Sequence, residues 1–340
     1  MMQNPYDLSG LKNKKVIIRT PGPAEVCEIF EEDLPSLNAD QVLVKVEYCG
    51  VALGDILFRE GISPVEYPMT PGYDVVGHIV AMGTKVYGFK PGDRVAALTL
   101  KDGYSSYVCI DSEIIVAVPQ GITSEKAIGA MLNYVTAYQL LVNKAKLPAG
   151  SSILIHGAAG GVGLAVLGLA KVLNITAYGT VSTHKVSTVT VAGGIPIDYT
   201  QTDFVKEILI KNGKGVDAVF DPIGGSNLWR SYKVLNKNGQ LISFGVGEAL
   251  KKEGNAKWRL FKAVWPLIVL KLLPNSRKVR LYTTTAKNRH LKEVIERVFA
   301  FVESGKITPV ISKVFPLTSV VDAHKYLTDQ RPMGKVLLKP

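Results

Sequence analysis

The sequence predicts an α/β protein: a doubly wound parallel sheet wrapped by helices, joined to a separate all-β domain. Three observations carry that expectation. Apolar strands alternate with helical stretches through the middle of the chain, the pattern of a parallel sheet with crossover helices. The first 128 residues read instead as short alternating runs broken by turns, as antiparallel sheets do. Residues 151–165 pass from an apolar strand through a glycine-rich turn straight into an apolar helix.

Residues 41–47, 94–97 and 113–117 are strand-like runs. Pro71-Gly72, Pro91-Gly92-Asp93 and Asp102-Gly103 separate such runs with φ-fixing or φ-permissive residues. A helix starting at Ser124 is expected to carry the chain into the second domain. Strands are then expected at 153–155, 175–181, 216–220 and 241–244, with helices near 162–173, 203–211 and 226–236. The run 186–191, Val-Ser-Thr-Val-Thr-Val, is rich in β-branched residues and opposes the helix that alternation would put there, unless packing overrides it. Residues 279–285 read as a last strand. Within 290–303, Leu291, Val294, Ile295, Val298 and Phe301 make one stripe at helical spacing. The tail from 307 returns to short strands, with one helix around 320–327, and is expected to rejoin the β domain. The domains are therefore expected at 1–128 with 286–340, and at 129–285.

A chain of 340 residues that is 47% hydrophobic and 20% charged can build two full cores and is not disordered. Cys27, Cys49 and Cys109 are too few and scattered for a disulfide framework or metal cluster, which favours a reducing compartment. The first residues lack the basic start and apolar core of a secretory signal, and no apolar run reaches the ~18 residues of a membrane span. The expected location is cytoplasmic. Of the net charge of +11, the segment 251–280 carries +8, with nine lysines and arginines against Glu253 alone. It also holds Trp258, Phe261, Trp265 and the run 267–270. The favoured reading is a helical lid whose apolar side roofs a substrate pocket while its lysines face water. The other is peripheral contact with an anionic membrane. Nucleic acid is not an expected partner, since no base-reading module accompanies the charge.

The turn Ala158-Ala-Gly-Gly-Val-Gly163 points to a dinucleotide. Gly160 lets the backbone approach a pyrophosphate, Gly163 lets helix and strand pack closely, and the leading N–H groups, through Gly161 and Val162, attract phosphate charge. Ala158 stands where the common pattern has its first glycine. The strand at 175–181 ends in Ser182-Thr-His-Lys185, with no acid to accept hydrogen bonds from an adenosine ribose. An acid there would repel a 2′-phosphate, whereas Ser182 and Lys185 attract one, so NADPH is expected over NADH.

These residues, with Cys49-Gly-Val-Ala-Leu-Gly-Asp55, Thr70-Pro-Gly-Tyr-Asp-Val-Val-Gly77, Val80-Ala-Met-Gly83, Lys90-Pro-Gly-Asp-Arg-Val95, Asn133-Tyr-Val-Thr-Ala-Tyr138 and Met333-Gly-Lys-Val-Leu-Leu-Lys339, resemble the medium-chain dehydrogenase/reductase superfamily. The resemblance covers roughly residues 14–340 and implies a GroES-like β-barrel domain split by an inserted Rossmann domain. Ile197-Asp-Tyr199 and Asp221-Pro-Ile-Gly-Gly-Ser226, with Asn133-Tyr134, are most similar to the synaptic-vesicle membrane protein homologues within the zinc-independent quinone oxidoreductase branch. It implies cofactor or nicotinamide contacts at Thr136, Tyr199, Phe244, Gly245, Val246 and Lys335, and pocket positions at Asn133 and Tyr134.

Where zinc alcohol dehydrogenases place a Cys, a His and a Cys, this chain has Ala52, Tyr73 and Leu132, none a usual zinc ligand. No zinc is expected. Without a Lewis acid, acceptors that are already polarised are the natural substrates: quinones and α,β-unsaturated carbonyls, reduced by hydride from NADPH. An enoyl-thioester reductase, or a non-catalytic NADPH-bound lipid or membrane-surface protein, are the alternatives. Some enoyl reductase relatives carry a tyrosine shortly after the position of Gly61, where this chain reads Ile-Ser-Pro. Tyr67 and Tyr73 lie nearby as pocket residues, and solvent is the other proton source, so no catalytic residue is assigned. The family implies a homodimer, with 279–285 as a sheet edge able to pair across a two-fold axis.

Overall fold

The computed structural model describes residues 8–251, 254–285 and 290–340. The N-terminal stretch read for a secretory signal, Lys252 and Glu253 of the basic segment, and the expected boundary at 286 lie outside the described residues. The chain divides into two compact units, 1–135 with 285–340, and 136–284.

In the first unit, β1 (Lys12–Ile18) pairs antiparallel with β2 (Cys27–Asp33). β3 (Gln41–Val51) leads through α1 (Leu53–Arg59) to β4 (Asp74–Met82), β5 (Arg94–Leu98), β6 (Tyr107–Asp111) and β7 (Ile115–Ala117). β3 pairs antiparallel with both β4 and β6, and β5 joins β4 to β7. Val42, Val44, Val46, Val75 and Ile79 of this sheet are fully or almost fully buried in one core cluster, and Leu43, Val76 and Val80 between them are buried too, so much of β3 and β4 is covered on both faces. The helix expected from Ser124 is α2 (Ser124–Tyr138).

The second unit alternates strand and helix: β8 (Ser152–Ile155), α3 (Gly161–Val172), β9 (Thr176–Val181), α4 (Val186–Val191), β10 (Ile195–Asp198), α5 (Phe204–Asn212), β11 (Val216–Asp221), α6 (Asn227–Lys233), β12 (Leu235–Ser243), α7 (Ala256–Lys271) and β13 (Lys278–Leu281). The strands are all parallel, in the order β10-β9-β8-β11-β12-β13. This is the doubly wound Rossmann order, whose connections reverse direction between β8 and β11. The β-branched run is helical after all, as six-residue α4, with Val189 fully buried; packing overrides propensity. β12 begins at Leu235, six residues before the expected strand. Leu235 pairs with Val216, and the register shifts before Ala218 meets Gln240, so the polar run 236–239 is an irregularity inside a strand. β13 stops at Leu281, short of the expected 285.

The chain then returns to the first unit with α8 (Leu291–Glu303), β14 (Ile311–Pro316), α9 (Val320–Lys325) and β15 (Lys335–Lys339). β15 pairs with β14 on one side and antiparallel with β3 on the other. α9 carries His324 into a buried chain of polar groups. His324 Nδ1 lies 3.2 Å from Arg59 Nη1. A guanidinium only donates, so Nδ1 accepts and the ring proton sits on Nε2. Nε2 is 3.3 Å from the Tyr104 hydroxyl, which donates to Asp55 Oδ2 at 3.0 Å. Asp55 also accepts from the N–H groups of Ala52 at 2.8 Å and Gly72 at 2.9 Å, fixing the start of α1.

Burial pushes Asp55 from 3.8 up to about 7, partly offset by the hydrogen bonds from Ala52 and Gly72. Burial, and then the charge of Arg59, pushes His324 from 6.5 down to about 3. As pH falls from 6.5 to 3, the unfolded chain binds a proton that folded His324 refuses, so acid costs stability. Between pH 3.8 and 7, folded Asp55 holds a proton the unfolded chain releases, so acid adds stability. Each slope is at most about 1.4 kcal/mol per pH unit, and the two oppose one another between 3.8 and 6.5. Asp55→Asn is expected to leave the His324 slope unopposed. Urea unfolding across that window should show the variant losing stability toward acid more steeply than the parent; parallel profiles would refute the pairing.

Candidate functional site

β8 delivers the chain to a tight turn in which one position, Gly163, leaves no room for a side chain. Gly157 adopts a φ of +66° and Gly160, extended at φ −77°, caps α3. The first N–H used within the helix is that of Leu164, to the Gly160 carbonyl at 2.9 Å. Those of Gly161, Val162 and Gly163 precede it and have no intrahelical acceptor, at the positive end of a 12-residue helix. A Cβ on Gly163 would lie 2.4 Å from the Gly157 carbonyl oxygen and 2.6 Å from the Ala158 carbonyl carbon, so only glycine fits. The residues present suit a diphosphate held by main-chain amides.

The sequence reading missed how Ala158 fits in the first-glycine place. The left-handed turn falls one residue earlier, on Gly157. Opposite, in β9, stands Gly179, where a Cβ would meet the Ala158 methyl at 2.5 Å. The clearance lost at 158 is recovered at 179. The signal was available: a glycine directly after the strand, and another inside the next one.

Ser182 and Lys185 follow β9 within one turn, closed by the Lys185 N–H on the Ser182 carbonyl at 2.9 Å. The Tyr199 N–H bonds to the Val181 carbonyl at 3.1 Å, which brings exposed Tyr199 to the same strand end. An acid the sequence reading did not weigh, Asp198, lies here too. Its carboxylate accepts from the Thr200 hydroxyl at 2.7 Å and the Thr200 N–H at 3.0 Å. Hydrogen bonds from Thr183 and Thr200 hold it below the usual carboxylate range. Phe244, Gly245 and Val246 follow β12, and the Phe244 N–H reaches the Asp221 carbonyl at 3.0 Å. Thus Gly160 to Gly163, Ser182, Lys185, Tyr199 and residues 244–246 gather at the carboxyl ends of the parallel strands, where ligands of such sheets bind. Thr136, buried in α2, shares a hydrogen bond with Tyr282.

Tyr67, Tyr73, Asn133, Tyr134 and Lys335 belong to the first unit. Tyr67 donates to the Phe58 carbonyl, and Tyr73 stacks on Phe58 with ring centroids 5.6 Å apart. Burial raises the Tyr73 phenol above its ordinary value and pushes Tyr134 up to about 12. Tyr134 donates to the Thr308 carbonyl at 3.3 Å. Lys335 is buried, with its ammonium on Asp74. Asp74 also accepts the Leu132 N–H at 3.0 Å. The positions matching zinc ligands are therefore tied by two carboxylates, Asp55 on the Ala52 amide and Asp74 on the Leu132 amide. Ala52 and Leu132 have no donor atom to offer a metal. Among the described residues, no group of three or more His, Cys, Asp or Glu is placed to hold an ion.

α7 has two apolar faces. Ala263, Pro266, Leu267 and Leu270 are buried, but Trp258, Phe261 and Trp265 are 49%, 46% and 49% exposed. They stack in a row with centroids 5.4 and 5.5 Å apart. With Ile268 and Leu272, also exposed, they form a second apolar stripe at positions i, i+3, i+7, i+10 and i+14. The aromatic residues thus lie half exposed, on a face separate from the buried one. Beyond the end of α7 lies a cleft of about 610 Å³ lined by Lys144, Lys271, Arg277, Lys278 and Arg280 with Ile242 and Leu281. Among the described residues no helix is long and apolar enough to cross a membrane.

Known proteins share this arrangement. The family described as Alcohol dehydrogenase GroES-like domain matches residues 38–148, and that described as Zinc-binding dehydrogenase matches residues 194–338. The Synaptic vesicle membrane protein VAT-1 homolog of Mus musculus is 33% identical over 345 residues, covering 98% of this chain and 81% of that protein. A Probable quinone oxidoreductase of Schizosaccharomyces pombe is 26% identical, covering 96% of this chain and 97% of that protein. The crystal structure of Escherichia coli quinone oxidoreductase complexed with NADPH superposes with a TM-score of 0.84 at 25% identity, over 96% of this chain and 100% of that one. With its glycine turn, its parallel sheet and these relatives, the chain belongs to the medium-chain dehydrogenase/reductase superfamily, close to the VAT-1 homologues and the quinone oxidoreductases.

Proposed function

We propose that this protein is a cytoplasmic, zinc-independent oxidoreductase that binds NADPH and reduces a quinone or an α,β-unsaturated carbonyl. The observation that carries the reading is the α3 N-terminus, with the three leading amides of Gly161, Val162 and Gly163 packed tightly on the turn before them, followed by a strand end that offers Ser182 and Lys185. The NADPH named with the Escherichia coli relative supports it. The diphosphate is assigned to the amides of Gly161, Val162 and Gly163, and the 2′-phosphate to Ser182 and Lys185. Residues 244–246, Thr136 and Tyr199 are assigned to the remainder of the cofactor. When bound, NADPH supplies the hydride, and the acceptor's own carbonyl polarises the carbon that takes it, so no Lewis acid is required. The donor set at Ala52, Tyr73 and Leu132 does not suit zinc. Tyr73, Tyr67, Asn133 and Tyr134 are assigned to the substrate pocket, and Lys335, buried on Asp74, to the cofactor. Neither tyrosine is assigned as the proton donor, and an enoyl thioester is the competing substrate.

NADPH consumption should be measured against a naphthoquinone, a conjugated enone and an enoyl thioester. The expected order places the first two ahead of the third; turnover of the thioester alone would replace the substrate assignment. Lys185→Glu is expected to weaken NADPH roughly 10- to 100-fold, the loss of one charge-assisted hydrogen bond of about 1.5–3 kcal/mol, with NADH little changed. Equal affinity of the parent for both nucleotides would sink the 2′-phosphate assignment.

A second reading, contact with an anionic membrane, is favoured by the outward aromatic stripe of α7 beside its cationic cleft. Aromatic side chains suit the headgroup boundary, and lysines and arginines the anionic charge. Co-sedimentation with phosphatidylserine vesicles should fall as salt rises and fall further in Trp258→Ser/Trp265→Ser. Absence of binding at low salt would rule this reading out.

The edge strand β13 supports a homodimer paired across a two-fold axis. Light scattering should return twice the chain mass of 36.8 kDa; a monomer at all concentrations would refute it.

A further inference from the structure

Directly before the glycine turn, just past the end of β8, stands His156, 2% exposed, whose ring bridges β9 and α6. Its Nδ1 lies 2.9 Å from the Thr180 hydroxyl of β9, and its Nε2 lies 2.9 Å from the Ser231 hydroxyl of α6. Ser231 donates to Asp221 Oδ2, at the end of β11, at 2.7 Å. A hydroxyl has one proton, and Ser231 gives it to the carboxylate. Its oxygen therefore accepts from His156, which puts the ring proton on Nε2 and leaves Nδ1 to accept from Thr180. Burial lowers the tendency of this ring to take a second proton. The whole chain is thus ordered in one sense, from Thr180 through His156 and Ser231 to Asp221.

Both ends of this chain reach the backbone assigned to the dinucleotide. Thr180 accepts the Ala158 N–H on its carbonyl at 3.1 Å, so one residue holds the ring and the glycine turn together. Asp221 accepts the N–H groups of Ile223 at 2.7 Å and Gly224 at 3.0 Å on Oδ1. The loop so fixed in turn fixes the next one. The Pro222 carbonyl accepts from Gly247 at 3.0 Å and the Ile223 carbonyl from Glu248 at 2.7 Å. A Cβ on Gly245 would come within 2.7 Å of the Pro222 oxygen.

We propose that the His156–Ser231–Asp221 chain is a brace that sets the separation between the turn at 157–163 and the loop at 244–248, which makes His156 and Ser231 positioning residues for the dinucleotide. The inference rests on the NADPH reading above. A ligand that uses only the glycine turn and the Ser182–Lys185 strand end does not sense the brace. One that must also reach residues 244–246 does.

Calorimetric titration of the parent, Ser231→Ala and two His156 variants with NADPH and with 2′,5′-ADP tests this. Ser231→Ala is expected to weaken NADPH at least tenfold while 2′,5′-ADP stays within about twofold. His156→Gln, which keeps an N–H able to reach Ser231, is expected to recover most of the NADPH affinity that His156→Leu loses. Thr180→Val, which keeps the side-chain shape, supplies the same comparison if Ser231→Ala does not fold. Equal weakening of both ligands, or no change in either, overturns the brace. A parent protein that binds neither ligand overturns the NADPH reading itself, and the brace with it.

Discussion

Helix α3 meets β8 at a distance that no side chain survives, and the second unit is arranged around that approach. A methyl on Gly163 would overlap the carbonyl oxygen of Gly157. Because those backbones touch, the leading amides of α3 stand directly above the end of β8. Because Ala158 is squeezed from the other side, β9 needs a glycine at its centre. One steric requirement thus accounts for glycines in two separate elements.

Each unit also contains a buried histidine whose proton is placed by neighbours that can act in only one way. Arg59 can only donate, so His324 carries its proton toward Tyr104 and Asp55. Ser231 already uses its one hydroxyl hydrogen in the bond to Asp221, so His156 must donate to it. Buried polar networks of this kind cost stability when half satisfied and impose one arrangement when complete. In the first unit the network sets the entrance to α1, and in the second it ties the ends of neighbouring parallel strands. The hydrophobic core gives both units their cohesion, but it does not dictate such fine registration.

Much of this was legible in the sequence because the signals were local. The strand, glycine turn and helix at 151–165, the alternating runs of the β unit, and the amphipathic stripe from Leu291 each depend on near neighbours. What escaped depended on distant ones. β10 is short and contains Pro196, which suits an edge strand but weakens the pattern. The first part of β12 is polar because its ladder with β11 is irregular there. Gly157 and Gly179 were each visible, but the contact that links Gly179 to Ala158 exists only once β8 and β9 lie side by side. Lys335 and Asp74 are 261 positions apart, and no periodicity could have joined them. The aromatic residues of α7 were seen, but which of its two apolar stripes faces inward is a property of the folded sheet.

The sheet of the first unit is completed by β15, which lies against β3 although the whole of the other unit is encoded between them. On a ribosome, β3 therefore emerges long before this neighbour, and the end of its edge at 49–51 stays without its partner strand for on the order of tens of seconds at ordinary rates of synthesis. Every strand of the intervening unit, by contrast, is translated before its end is reached. The inserted unit can mature first on the nascent chain, while the interrupted one must wait for translation to reach the last strand.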